Sequence, residues 1–187
     1  MKKIIFLTIT FIFISCKKEK KNSQSDESLM VVKSATEIRK EREFPLKELS
    51  KVEILSYENR MYWDKQSKET KYNKYTKDLV VDCKLNFDST NVKERVLLNS
   101  VLKTELLELM SQDSCKVEEL PADCYMPRHM ILFRDHKNRI IGYKELCLGC
   151  KGFRESKNLE NYNGFCFSQM EELFIKAGIK YLDDDYE

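Results

Sequence analysis

Glycine and proline are scarce, at five and three residues in a chain of 187. That excludes collagenous and low-complexity architectures, which need one or both in bulk. A charge imbalance is missing too. Of the 33 basic residues, Lys2 and Lys3 stand at the extreme N-terminus, and the 31 that remain match the 31 acidic ones. No global field therefore argues for a nucleic-acid partner, and the mixed signs along the chain are those of an ordinary solvated surface. No apolar run approaches the roughly 20 residues that a bilayer-spanning helix needs. Nothing repeats internally, and there is no regular strand–helix–strand alternation of the doubly wound kind. What is present is 42% apolar and 34% charged residues. This is too apolar for disorder, and it leaves room for one domain of about 150 residues.

The longest apolar run covers residues 4–14, broken by Thr8 and Thr10, and follows a basic Met1-Lys2-Lys3. Its length suits the central part of a signal peptide. It ends in Phe13-Ile14-Ser15-Cys16, which resembles the lipobox of bacterial lipoproteins, with Phe13 in place of the usual leucine. The resemblance implies cleavage before Cys16 and acylation of its sulfur and new amino group. Several chains at about 0.8 kcal/mol per buried methylene make a stable anchor. The expected organisation is a signal peptide over 1–15, the lipidated Cys16 with a flexible tether to 34, and one globular domain over 35–187. The partner is then the lipid bilayer, and the location is the cell envelope. Lys17 is not an inner-membrane retention signal of the aspartate kind, which favours the outer membrane.

Within the domain, residues 36–43 predict a short exposed helical turn ended by Pro45. Residues 51–57 (KVEILSY) alternate as a strand. Residues 59–77 interleave Tyr62, Trp63, Tyr72 and Tyr75 with Arg60 and five lysines, a pattern that stacks on sugars or bases or, more simply, shields a solvated hairpin. Residues 79–87 predict a strand with Val81, Cys83, Leu85 and Phe87 on one face. Leu98, Leu102, Leu106 and Met110, at four-residue spacing, predict an amphipathic helix over 91–112, capped by Ser89 or Thr90.

A hairpin follows, with strands at 130–133 and 140–148 and a turn at 135–138, where Asn138 suits the left-handed position. Ser168 and Glu171 fit a capping box. Met170, Leu173, Phe174 and Ala177 form the stripe of a last helix, and Gly178 stops it. The expected fold is α+β, a mainly antiparallel sheet with the two amphipathic helices packed on one face.

Seven cysteines less Cys16 leave six, an even number suited to disulfides in an exported domain. If the hairpin turn is centred near 136–138, paired residue numbers sum to about 273 or 274. Cys124 then falls opposite Gly149 or Cys150. Three readings follow. A disulfide from Cys124 to Cys147 or Cys150, with Cys166 in a second bridge, is the favoured one. A zinc site from Cys124, Cys147, Cys150 and Cys166 uses the Cys-x2-Cys half of a thiolate set. Thiol–disulfide chemistry at Cys147 and Cys150 is the third, although no helix follows Cys150 to stabilise a thiolate. Haem attachment is excluded, because Lys151 stands where a histidine is required. On the hairpin itself, Glu145 falls opposite Arg128, as a structural clamp, or opposite His129, as a general-base pair.

The run CYMPRHMILFRDHKNRIIGYKELCLGC, with the later GFCFSQMEELFIKAGIKY, resembles a group of small uncharacterised bacterial proteins, many of them lipoproteins. They share Cys-Tyr-x-Pro-Arg, an apolar strand, an Asp-led turn and a strand ending Glu-x-Cys-x-x-Cys. The resemblance covers about the last 65 residues and departs at Asn138-Arg139. It implies that the region from Cys124 to Cys166 is one unit, and it implies no activity. The expectation is a membrane-anchored binding or structural lipoprotein, with thiol–disulfide or zinc-dependent activity as the alternative.

Overall fold

The computed structural model describes residues 44–64, 78–112, 115, 119–120, 122 and 124–182. All of them belong to one compact unit, Lys33–Glu187. The helical turn expected at 36–43, the lysine-rich part of 59–77, and Cys16 with its flanks lie outside the described residues.

Five strands form one antiparallel sheet: β1 (Lys51–Tyr57), β4 (Val92–Leu97), β5 (His129–Arg134), β6 (Ile140–Cys147) and β7 (Gly152–Glu155). Their spatial order is β4-β1-β5-β6-β7. A two-stranded hairpin joins β2 (Val80–Val81) and β3 (Lys84–Leu85). Among the described residues the α-helices are a single turn, α1 (Arg60–Trp63), and two longer ones, α2 (Ser100–Met110) and α3 (Phe167–Ala177). The class is α+β.

Three local expectations change. The helix expected over 91–112 is two elements. Val92, Glu94 and Val96 alternate with the more exposed Lys93, Arg95 and Leu97, a period of two that makes residues 92–97 a strand. Asn99 then caps α2, its side-chain oxygen accepting from the Leu102 amide at 2.9 Å. Second, residues 79–87 do not run straight. Asp82 and Cys83 take φ of 48° and 60°, the left-handed pair of a tight hairpin turn. Third, the capping box at Ser168 is not made. Cys166 occupies the cap position without a side-chain bond, and the Glu119 carboxylate reaches in to accept from the amides of Phe167 and Ser168 at 2.6 and 2.8 Å. Asn138 has φ 63°, and Gly178, at φ 94°, ends α3, both as the sequence predicts.

Burial tends to raise the Glu119 carboxyl's pKa, but the two amide bonds outweigh it and hold the group low. A depressed carboxyl stabilises the fold above its unfolded value near ~4.3, and that stabilisation is lost as pH falls through the lower folded value. Glu119→Ala should therefore cost ~1 kcal/mol at neutral pH, and the gap from wild type should narrow in acid. Urea unfolding at pH 7 and pH 3 checks both; an equal gap at the two pH values would refute the cap.

Two apolar clusters sandwich the sheet, one from each set of alternating strand positions. Val52, Ile54, Ile131, Phe133 and Leu146 join Leu106 and Met110 of α2 and Met170, Leu173 and Phe174 of α3. The other positions, Leu55, Tyr57, Met130 and Leu132, gather with Leu79 and receive Trp63, Leu85 and Phe87. Each fully buried Leu, Ile or Phe is worth about 1.5–3 kcal/mol. Both faces of the central strands are therefore dry, and any charge on them must be paired.

Candidate functional site

The β5–β6 register decides where the polar groups point. His129 pairs with Leu146, Met130 with Glu145 and Phe133 with Gly142, and a bulge follows between Phe133 and Arg134. The bulge moves the pairing one step from the sequence arithmetic. Glu145 thus lies opposite neither Arg128 nor His129. Across the other edge of β6 its partner is Arg154 on β7.

Glu145 is fully buried and accepts four hydrogen bonds. Arg60 grips it with two, from Nε to Oε1 at 2.5 Å and from Nη2 to Oε2 at 3.0 Å. The Tyr57 and Tyr125 hydroxyls each donate at 3.0 Å. The third guanidinium nitrogen, Nη1, reaches Asp64 at 3.0 Å. Local chain geometry aims Arg60 inward. Asn59 caps α1 through the Met61 amide, and the Arg60 amide donates to the Pro127 carbonyl at 3.1 Å. Burial works against the guanidinium's charge, but the bonds to Glu145 and its charge prevail and raise the pKa of Arg60. For Tyr57 and Tyr125, burial first and then the Glu145 charge drive the phenols well above their ordinary range.

His129 projects from the other face of β5. Its ring lies 5.4 Å from that of Phe174, and Nε2 is 2.8 Å from the Tyr181 carbonyl oxygen. A carbonyl only accepts, so this nitrogen carries the proton. Arg128 is buried just before β5, and its amide donates to the Leu146 carbonyl at 3.3 Å. The sheet therefore sets His129 and Glu145 on opposite sides.

Lys144, Glu145's neighbour, also faces inward with no exposed surface. Its ammonium bonds Glu155 and Asn163 and sits 4.4 Å and 5.1 Å from the ring centres of Phe153 and Phe165. Burial lowers its pKa, and the Glu155 carboxylate opposes that shift. The aromatic faces and the carboxylate together compensate a cation that could not otherwise be buried.

The favoured disulfide reading holds for Cys166, which is in a bridge, but not for Cys124. Cys115 is bonded to Cys166, 51 residues away. Cys147 is bonded to Cys150, across the turn joining β6 to β7. Cys124 is exposed and free of any disulfide, with its sulfur 2.8 Å from that of Cys150. The bridge expected from Cys124 is thus displaced into the Cys-x2-Cys pair, because the chain turns back at Lys151, φ 55°, and folds Cys150 over Cys147. The proposed zinc set is not assembled, since Cys166 is drawn away to Cys115. Among the described residues no group of three or more His, Cys, Asp or Glu is arranged to hold a metal ion.

One open groove of about 410 Å³ lies along the β2–β3 hairpin and the sheet edge, with Lys84, Leu85, Phe87, Arg95 and Arg134 in its lining. Arg134 donates two bonds to Glu53, at 2.9 and 2.8 Å, and Arg95 shares that carboxylate at 3.3 Å. Two cations on one anion leave the wall positive.

Sequence reasoning missed Arg60, Asp64, Tyr57 and Tyr125. Arg60 stands in a basic, aromatic stretch with no periodicity, so no local signal turned it inward. Comparison with protein-family models, with curated proteins and with solved structures finds no match to this chain.

Proposed function

We propose that this protein is an exported lipoprotein of the bacterial cell envelope, held in the bilayer, and in the outer membrane by preference, through acylated Cys16. Its domain acts as a binding or structural module and not as an enzyme. The observation that supports this reading best is the inward use of its ionisable groups. Glu145 has four donors and no exposed surface, and His129 is sealed beneath Phe174 and Tyr181. A general base must reach a substrate's proton; these groups hold a shape instead. Binding falls to the positive groove beside β2 and β3, whose apolar Leu85 and Phe87 suit a small anionic ligand with an apolar part.

Cys16→Ala should abolish lipid labelling and move the protein from the membrane to the soluble fraction. Labelling or membrane retention that survives the substitution would overturn the anchor. A second reading, thiol–disulfide chemistry at Cys147 and Cys150, is favoured by the third sulfur, Cys124, beside that pair.

A further inference from the structure

We propose that Cys124, Cys147 and Cys150 form a three-sulfur exchange site in which Cys124 is the port to solvent for a disulfide that is otherwise sealed. The proposal rests on the thiol–disulfide reading and extends it to a mechanism and a substrate class, external thiols.

Three observations carry it. Cys147 and Cys150 are each only 2% exposed, so a thiol arriving from outside does not reach their bond. Cys124 is exposed, and its sulfur lies 2.8 Å from Cys150 Sγ. The chain around it is registered on the target by a hydrogen bond from the Ala122 amide to the Cys150 carbonyl at 3.0 Å. On the far side, the Cys150 amide points at Cys147 Sγ, 3.3 Å away. That N–H stabilises negative charge on Cys147, which makes it the better leaving sulfur.

The step balances within the protein. Cys124 loses its proton to water, and its thiolate attacks Cys150 Sγ. The Cys124–Cys150 bond forms while the Cys147–Cys150 bond breaks. The electron pair departs on Cys147, which then takes up a proton. One disulfide and one thiol are present before and after, so no oxidant or reductant is consumed. In the new isomer the exposed sulfur belongs to the disulfide. An external thiolate attacks Cys124, expels Cys150 as a thiolate, and leaves a mixed disulfide on Cys124. A second external thiol releases oxidised product and restores the Cys124 thiol, with Cys147 and Cys150 now reduced.

The test uses the full-length protein in detergent, incubated with reduced glutathione under exclusion of oxygen, then acid-quenched, alkylated and mapped by peptide mass spectrometry. Without another oxidant, glutathione joins a cysteine only at the expense of a protein disulfide. The expected product carries glutathione on Cys124, with Cys147 and Cys150 free. Cys124→Ser should retain the fold and lose its Cys147–Cys150 bond to glutathione about ten-fold more slowly, because access governs the rate. Cys147→Ser should form the Cys124–Cys150 bond spontaneously in air. Glutathione found only on Cys147 or Cys150, at a rate that Cys124→Ser leaves unchanged, would overturn the port and leave the thiol–disulfide reading standing. A pair that resists glutathione altogether, with no Cys124–Cys150 bond in Cys147→Ser, would overturn both.

Discussion

Arg60→Met should destabilise the domain by about 3–5 kcal/mol, the cost of stripping one partner from a buried ion pair. With a typical domain stable by only about 5–15 kcal/mol, much of the population should be unfolded at moderate temperature. The reason is geometric. Glu145 has no exposed surface, and two of its four donors are the Nε and Nη2 of Arg60. Without them a buried carboxylate keeps only the Tyr57 and Tyr125 hydroxyls, and Asp64 loses its bond from Arg60 as well. Arg60→Met combined with Glu145→Gln removes both charges but keeps an oxygen for the Tyr57 and Tyr125 hydroxyls. It should therefore be more stable than Arg60→Met alone. Urea denaturation of the three proteins decides the matter. If Arg60→Met falls within about 1 kcal/mol of wild type, the cluster is not the internal anchor described.

Alkali should attack the same place. Burial and the Glu145 charge raise the Tyr57 and Tyr125 phenols, so both stay neutral in the fold while the unfolded chain ionises near ~10. A raised folded pKa means that their contribution is whole below ~10 and lost as pH climbs above it. Tyr57 and Tyr125 should resist ionisation until unfolding, as a delayed step in the ultraviolet titration.

The Cys115–Cys166 bond should be worth far more than Cys147–Cys150. In the chain-entropy model a 51-residue separation gives about 4 kcal/mol, whereas a separation of three gives about 1.5. The long loop holds β5, β6 and β7 between its ends, so the crosslink restrains most of the C-terminal half of the unfolded chain. Cys166 also sits at the start of α3, where Glu119 from the same loop supplies the cap, so the bridge holds donor and acceptor together. Cys115→Ala/Cys166→Ala should lower Tm by ten degrees or more, at roughly 2–4 °C per kcal/mol for a domain of this size. Cys147→Ala/Cys150→Ala should move it much less. Calorimetry showing the reverse order would refute the assignment of the long bridge as the main staple.

What was legible in the sequence is what depends on neighbours along the chain. The alternation in residues 51–57 reappears as β1, Asn138 takes the left-handed position of the β5–β6 turn, and Gly178 ends α3 where the Met170–Leu173–Phe174 stripe ends. The α+β class followed from such pieces. Where two periods overlapped, the reading failed. Leu98, Leu102, Leu106 and Met110 kept their spacing, but the period of two just upstream belonged to β4, and Asn99 divided the two elements.

The candidate site was less legible because it is made by pairing across the sheet. Arg60 and Glu145 are 85 residues apart, and no local pattern links them. A single bulge after Phe133 moved the register by one step and took Glu145 away from His129. The sequence by itself determined a near-even charge balance and a cysteine-edged hairpin, and it raised the expectation of an export segment ending at a lipobox-like Cys16. Only the tertiary structure decided which sulfurs bond, which charges are buried, and that Cys124 stands free beside Cys150. The physical reason is that a strand's side chains alternate by local geometry, whereas what they meet depends on which strands come to lie beside them.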